Sequence, residues 1–207
     1  MHVSSKNILT IDPPFLFKTG EIFNDPLFIA YETYGELNDK KDNAILVTTG
    51  LSPSAHLCST SEDQSPGWWE KIAGEGKYID TQKYFVICIN SLGSCYGSSG
   101  PASFKPDTDV KYGLSFPEVT IEDMAQSMKP VIDKLGIKTL HSIIGPSMGG
   151  MTAMSLVKQF PSITKNLILI STAASCRPFS IAVRSLQRKL ITSDQNWEEG
   201  KYQDCLL

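Results

Sequence analysis

GPSMGGM, residues 145–151, stands between the short apolar run HSII (141–144) and MTAMSLVKQF (151–160), which reads as a helix. A serine at a strand-to-helix junction, with three glycines in seven positions, asks for a physical reason. A sharp turn of that kind leaves no room for side chains on either side of the corner. Gly145 and Gly149 therefore let the backbone crowd in, while Ser147 is pushed outward on a strained turn. The spacing predicts a nucleophile elbow.

Working outward, NAILVTTG, YFVICINS, HSIIGPS and NLILIST are short, nearly continuous apolar runs closed by Gly, Asn or Ser. Such runs fit strands buried on both faces, as in a parallel sheet covered by helices. PLFIAYETYG (26–35) alternates apolar and polar residues and reads as a half-exposed strand near the sheet edge. TIEDMAQSMKPVIDKLGI (120–137) opens with Thr120 and Asp123 in near capping-box spacing. It carries Ile121, Met124, Met128 and Ile132 on one face and closes at Gly136, with Pro130 inside, so it reads as a helix. Met124, Met128, Met151 and Met154 read as helix core fillers. The order of elements makes an α/β fold, a mostly parallel sheet with right-handed crossovers flanked by helices, the economical solution. Residues 92–117 are rich in Gly, Ser and Pro without periodicity, and a loop of that length in a compact domain usually carries function.

Bulk properties narrow the function classes. At 207 residues, with 41% hydrophobic and 20% charged residues, the chain has the composition of one globular domain. A net charge of -3 and the absence of any Lys/Arg-rich run argue against nucleic acid as a partner. The N-terminal residues lack a basic and apolar leader pattern, and no apolar run approaches the roughly 20 residues that span a bilayer. A cytoplasmic protein without a membrane partner is the expectation. Five cysteines without C-x-x-C spacing predict neither a disulfide framework nor a metal site, and Cys88 inside YFVICI suits a buried small hydrophobe.

On an α/β-hydrolase sheet, a G-x-S-x-G turn presents its serine at the carboxyl end of a strand, and the next residue's N–H helps build an oxyanion hole. Here that donor is Met148. The second comes from the loop after an earlier strand, and TTGLS after AILV makes Leu51 N–H the candidate. A serine also needs a histidine base oriented by an acid, in the chain order Ser, acid, His. The three histidines, His2, His56 and His141, all precede Ser147. The later acids Asp194, Glu198, Glu199 and Asp204 have no imidazole beyond them. His56 lies in the loop near Leu51, where a histidine is more often simply solvated. His141 begins the strand that ends at the elbow and so stands about a strand's length from the serine. The triad is incomplete in these residues.

Several stretches together resemble the homoserine O-acetyltransferase family of α/β-hydrolase-fold acyltransferases: TGLSPSAH, residues 66–103 from PGWWEKIAG to GPAS, YGLSFPEVTIED, GPSMGGM and RSLQRKLITSDQNWEEGKY. The resemblance runs from about residue 26 to 202. It implies that residues 1–176 form the N-terminal part of the hydrolase core and 177–207 the start of a helical lid. It further implies transfer of an acetyl or succinyl group from acyl-CoA, a co-substrate with no bound cofactor, to the side-chain hydroxyl of homoserine or serine. The route is a ping-pong one through an acyl-serine, with Ser147 as the nucleophile. Arg188 matches the arginine that holds the substrate carboxylate, which suits a planar, bidentate guanidinium. The resemblance also implies that the long loop lines the acyl-transfer site; Trp68 and Trp69 read as anchors of the loop before IAGEGKYID, with a direct acyl-donor contact as the alternative.

Two departures qualify the resemblance. The family's Asp and His lie beyond the lid, whereas this sequence stops at Leu207, so the chain reads as truncated, weak in catalysis, and uncertain to form the family's homodimer. GPS, NSLGSC and PFSIAVRSLQR look closer to the serine O-succinyltransferase branch, although one methylene separates serine from homoserine and is worth only about 1–3 kcal/mol to a pocket. A serine hydrolase of the same fold and an inactive fragment are the alternatives.

Overall fold

The computed structural model describes residues 7–197 and residue 200. His2, Glu198, Glu199, Asp204, Cys205 and the stretch 201–207 lie outside the described residues, as does the end of the expected lid segment.

In chain order the strands are β1 (Asn7–Ile11), β2 (Phe15–Leu16), β3 (Ile22–Phe23), β4 (Leu27–Tyr34), β5 (Ala44–Thr48), β6 (Ala73–Gly74), β7 (Ile79–Asp80), β8 (Phe85–Ile89), β9 (Leu140–Pro146) and β10 (Thr164–Ile170). The helices are α1 (Ile121–Lys134), α2 (Met148–Gln159) and α3 (Pro178–Thr192). Six strands form the main sheet in the order β1-β4-β8-β5-β9-β10. β1, β4 and β8 pair antiparallel, and β8, β5, β9 and β10 run parallel.

Alternation along the central strands divides two cores. Leu46, Ile87 and Ile143 face α1, α2 and the Phe15–Phe17–Phe23 cluster of the N-terminal hairpin. Val47, Cys88 and Ile144 face the opposite way, onto Ala55, Leu57, Ala73 and Ile79, with Trp68 and Trp69 packed behind. A largely irregular segment, with no helix in it, covers that second face. The helix read from 120–137 is present, and Thr120 and Asp123 close a full capping box. Asp123 is wholly buried, and its other carboxylate oxygen accepts from Lys18 N at 2.7 Å. One residue thus caps α1 and pins the hairpin to it.

Two strand readings need correction. The 26–35 strand does lie near the sheet edge, second in the order with β1 paired outside it, but it is mostly buried and not half-exposed. Its alternation misleads because Glu32 is buried with partners of its own (1% exposed). NLILIST is not buried on both faces. Leu167, Ile168, Leu169 and Ile170 are 36–45% exposed, because among the described residues β10 pairs only with β9 and α3 buries no residue. No helix among the described residues is long and apolar enough to cross a membrane.

Candidate active site

β9 ends at Pro146, and α2 begins at Met148. Between them Ser147 has φ 54° and ψ -124°, a backbone state that costs a non-glycine residue about 1–3 kcal/mol and persists only where its surroundings impose it. Here they do. Ser147 N–H donates to Ile170 O at 2.9 Å, and Gly150 N–H donates back to Ser147 O at 3.0 Å. A Cβ on Gly145 would stand 2.6 Å from Gly150 Cα, and one on Gly149 would stand 2.5 Å from Thr48 O. Both glycines are demanded by close backbone approach, as the sequence spacing predicts. Gly150 is demanded too, by the Thr172 side chain.

The serine is exposed, and its hydroxyl has no hydrogen-bond partner among the described residues. Met148 and Leu51 line one apolar cleft of about 270 Å³ with Leu92, Phe116, Val119 and Met124. Ser147 stands beside this cleft, one residue from Met148, and is not part of its wall. A second cleft of about 330 Å³ adjoins it and shares Leu51, Ser91, Gly93 and Ser94. Neither Leu51 N–H nor Met148 N–H has an acceptor among the described residues. Leu51 and Met148, each with an unengaged amide, line one cleft beside an exposed serine, and two such donors are what a developing oxyanion would need.

The long loop forms much of the wall, through Leu92, Gly93, Ser94, Pro101, Phe116 and Pro117. Its serines stitch it to β4: Ser99 Oγ accepts from Phe28 N at 2.9 Å, and Ser98 Oγ accepts from Ala30 N at 3.0 Å. Phe116 seats the loop's far end in the hairpin's aromatic cluster, 5.5 Å from Phe23 and 6.3 Å from Phe17. Met124 faces the cleft, so it is not a core filler, whereas Met128 is fully buried.

The histidines do not reach the serine with a free nitrogen. His56 Nδ1 meets Glu32 Oε2 at 3.1 Å, and Nε2 meets Ser65 O at 2.8 Å. His141 sits at the start of β9, its ring tilted at 52° against Tyr84 and hydrogen-bonded to Ser142 Oγ. Arg188 is exposed on α3, donates to Ser185 Oγ at 3.3 Å and lines neither cleft. Trp68 and Trp69 stack at 4.8 Å, and Trp68 Nε1 donates to Ser54 O at 2.9 Å, so they anchor the loop that follows Leu51.

Sequence reasoning passed over Thr48. Its hydroxyl approaches Gly149 O at 2.8 Å and Ile144 O at 3.3 Å, tying the elbow to the strand that precedes the Leu51 loop. A hydroxyl closing an apolar strand is the only signal of it in the sequence.

Comparison with known proteins agrees with this geometry. A serine O-succinyltransferase of Xanthomonas axonopodis pv. citri (strain 306) is 50% identical over 191 residues, 92% of this chain and 48% of that one. The crystal structure of a homoserine O-acetyltransferase from Bacillus anthracis superposes with a TM-score of 0.88 at 32% identity, covering 99% of this chain and 57% of that one. A crystal structure of an esterase superposes with a TM-score of 0.86 at 34% identity, covering 97% and 56%. The chain spans about half the length of the curated relatives it matches. The family described as alpha/beta hydrolase fold matches residues 43–207. With the elbow, the crossover sheet and this match in agreement, the chain belongs to the alpha/beta hydrolase fold family.

Proposed function

We propose that this chain carries the nucleophile and oxyanion hole of an O-acyltransferase that moves an acetyl or succinyl group from acyl-CoA to the side-chain hydroxyl of serine or homoserine. The observation that carries the proposal is the exposed, strained Ser147 beside a cleft where Leu51 and Met148 hold unengaged amides. In the first half-reaction Ser147 gives its hydroxyl proton to a base outside the described residues, and its Oγ attacks the thioester carbonyl carbon. The carbonyl oxygen gains negative charge and accepts from the two amides. The carbon–sulfur bond then breaks, CoA leaves as the thiolate, and the acyl group remains on Ser147. In the second half-reaction the amino-acid hydroxyl gives its proton to the base and attacks that ester, the same two amides receive the second oxyanion, and the acyl–Oγ bond breaks to release the product ester while Ser147 Oγ regains a proton. Removing one such donor typically costs about 2.7–4 kcal/mol of transition-state stabilisation.

Both ring nitrogens of His56 are engaged and His141 lies at the other end of β9, so the base of this reaction is not among the described residues. Arg188 is the proposed carboxylate ligand, by resemblance and by its bidentate chemistry.

Hydrolysis is the second reading, favoured by the likeness to the esterase, since water can replace the amino acid in attacking the same acyl-serine. Incubation with acetyl-CoA or succinyl-CoA, with and without serine or homoserine, separates the two. Release of CoA that depends on the amino acid supports transfer, and release indifferent to it supports hydrolysis.

A further inference from the structure

Leu51 lies in a span that carries no hydrogen bond of its own among the described residues. Among the described residues Gly50, Leu51, Ser52 and Pro53 make no hydrogen bond, so the position of the Leu51 amide is set by the two ends of the span. The near end is fixed at the elbow, where Thr48 holds Gly149 O and Thr49 Oγ1 meets Ser91 Oγ at 3.1 Å. The far end, residues 54–57, is fixed to β4. Tyr34 Oη accepts from Leu57 N at 2.7 Å and donates to Glu32 Oε2 at 2.8 Å. The same carboxylate oxygen meets His56 Nδ1, while His56 Nε2 reaches across to Ser65 O. The carboxylate is 2% exposed and the imidazole 15%, so water competes poorly for either.

We infer that Glu32, His56 and Tyr34 are positioning residues for the Leu51 amide: they hold the far end of a span that has no hydrogen bonds of its own and thereby set where that amide stands at the cleft Leu51 lines. The catalytic consequence rests on the proposed role of Leu51 as an oxyanion donor; the mechanical coupling does not. The anchor has a protonation state. An imidazolium donates from both nitrogens at once, to Glu32 and to the Ser65 carbonyl, whereas a neutral ring has one N–H and keeps only one of those bonds. Burial opposes the charge, but the Ser65 carbonyl and the Glu32 carboxylate outweigh it, with a smaller contribution from Asp63, and His56 holds its proton above the ordinary value of 6.5. The groups facing this cluster are Glu32 and Tyr34 on β4, Asp63 and Ser65 on the outer loop, and the Cys58 and Cys88 thiols, which burial pushes upward.

Isotope-labelled protein tests this without any acyl transfer. The His56 ring carbon and the Leu51 amide are followed by NMR from pH 5 to 9 in the native chain, in Glu32→Gln and in Tyr34→Phe. The Leu51 resonance is expected to move with the His56 midpoint in the native chain. Both midpoints are expected to fall together toward the ordinary imidazole value in Glu32→Gln. In Tyr34→Phe, exchange of the Leu57 amide is expected to quicken by about tenfold, as loss of one buried hydrogen bond would do. A Leu51 resonance that stays flat while His56 titrates overturns the inference, and the native chain alone yields that result if a variant fails to fold. Coupled titration together with an unreactive Ser147 leaves the positioning intact and removes the acyltransferase reading; a reactive Ser147 with uncoupled titration does the reverse.

Discussion

Thr48 and Gly149 are locked together twice: the Thr48 hydroxyl lies 2.8 Å from Gly149 O, and the Thr48 carbonyl oxygen leaves only 2.5 Å for a Cβ on Gly149. The elbow is therefore pressed against the end of β5, the strand from which the Leu51 loop departs. A methyl group at position 149 meets backbone, which cannot swing aside as a side chain would. Gly149→Ala is expected to cost about 1–3 kcal/mol, the usual cost of overpacking, and to displace Ser147 from its strained state. Urea unfolding measures the first effect, and labelling of Ser147 by an activated ester measures the second. A variant as stable and as reactive as the native chain would show that the close approach is not real.

Asp123 gathers three donors while fully buried: Lys18 N at 2.7 Å, Thr120 N at 2.8 Å and Thr120 Oγ1 at 2.7 Å. Asp123→Ala strands those donors and opens the capping box of α1. The expected loss is about 3 kcal/mol, at the upper end of what removing a buried partner costs. Equilibrium denaturation checks it. The reactivity of Ser147 should change little under conditions where the variant remains folded, because the cap lies at the start of α1 and outside the elbow.

The His56 cluster gives stability a pH dependence with a definite sign. The folded-state pKa of His56 is raised above the ordinary value of 6.5, so the contribution is fully present below about pH 6.5 and is lost as pH rises through the raised value. His56→Gln is therefore expected to destabilise the protein more at pH 5.5 than at pH 8.5. Chemical denaturation at the two pH values reads the difference. An equal penalty at both would mean that the imidazole charge contributes nothing.

The elbow was legible in the sequence because its causes are local. Gly145, Ser147 and Gly149 sit within five positions, and the backbone crowding that demands them is a property of one turn. The wall formed by the long loop was legible for a similar reason, since residues 92–117 offer no period and must serve something other than a helix or strand. The Glu32–His56 pair was not legible, because its partners are 24 residues apart and meet only when β4 and the Leu51 loop fold onto one another. That pairing also explains why the 26–35 strand read as half-exposed: a buried glutamate reads as solvent-facing until its partner is known. NLILIST failed differently, since an apolar run states what a strand requires and not what its neighbours supply. The position of Arg188 relative to Ser147 belongs to the same class, because it depends on how α3 sits and no local pattern records that.

The most direct test of the account is mass spectrometry of the intact chain and its proteolytic peptides after brief exposure to p-nitrophenyl acetate, to acetyl-CoA and to succinyl-CoA, with Ser147→Ala in parallel. The expected result is a single acyl adduct on the peptide carrying Ser147, formed fastest with the activated aryl ester and absent from the variant. Acylation spread over other residues with Ser147 unmodified, or an adduct that survives in Ser147→Ala, would contradict the central claim that this hydroxyl is the nucleophile.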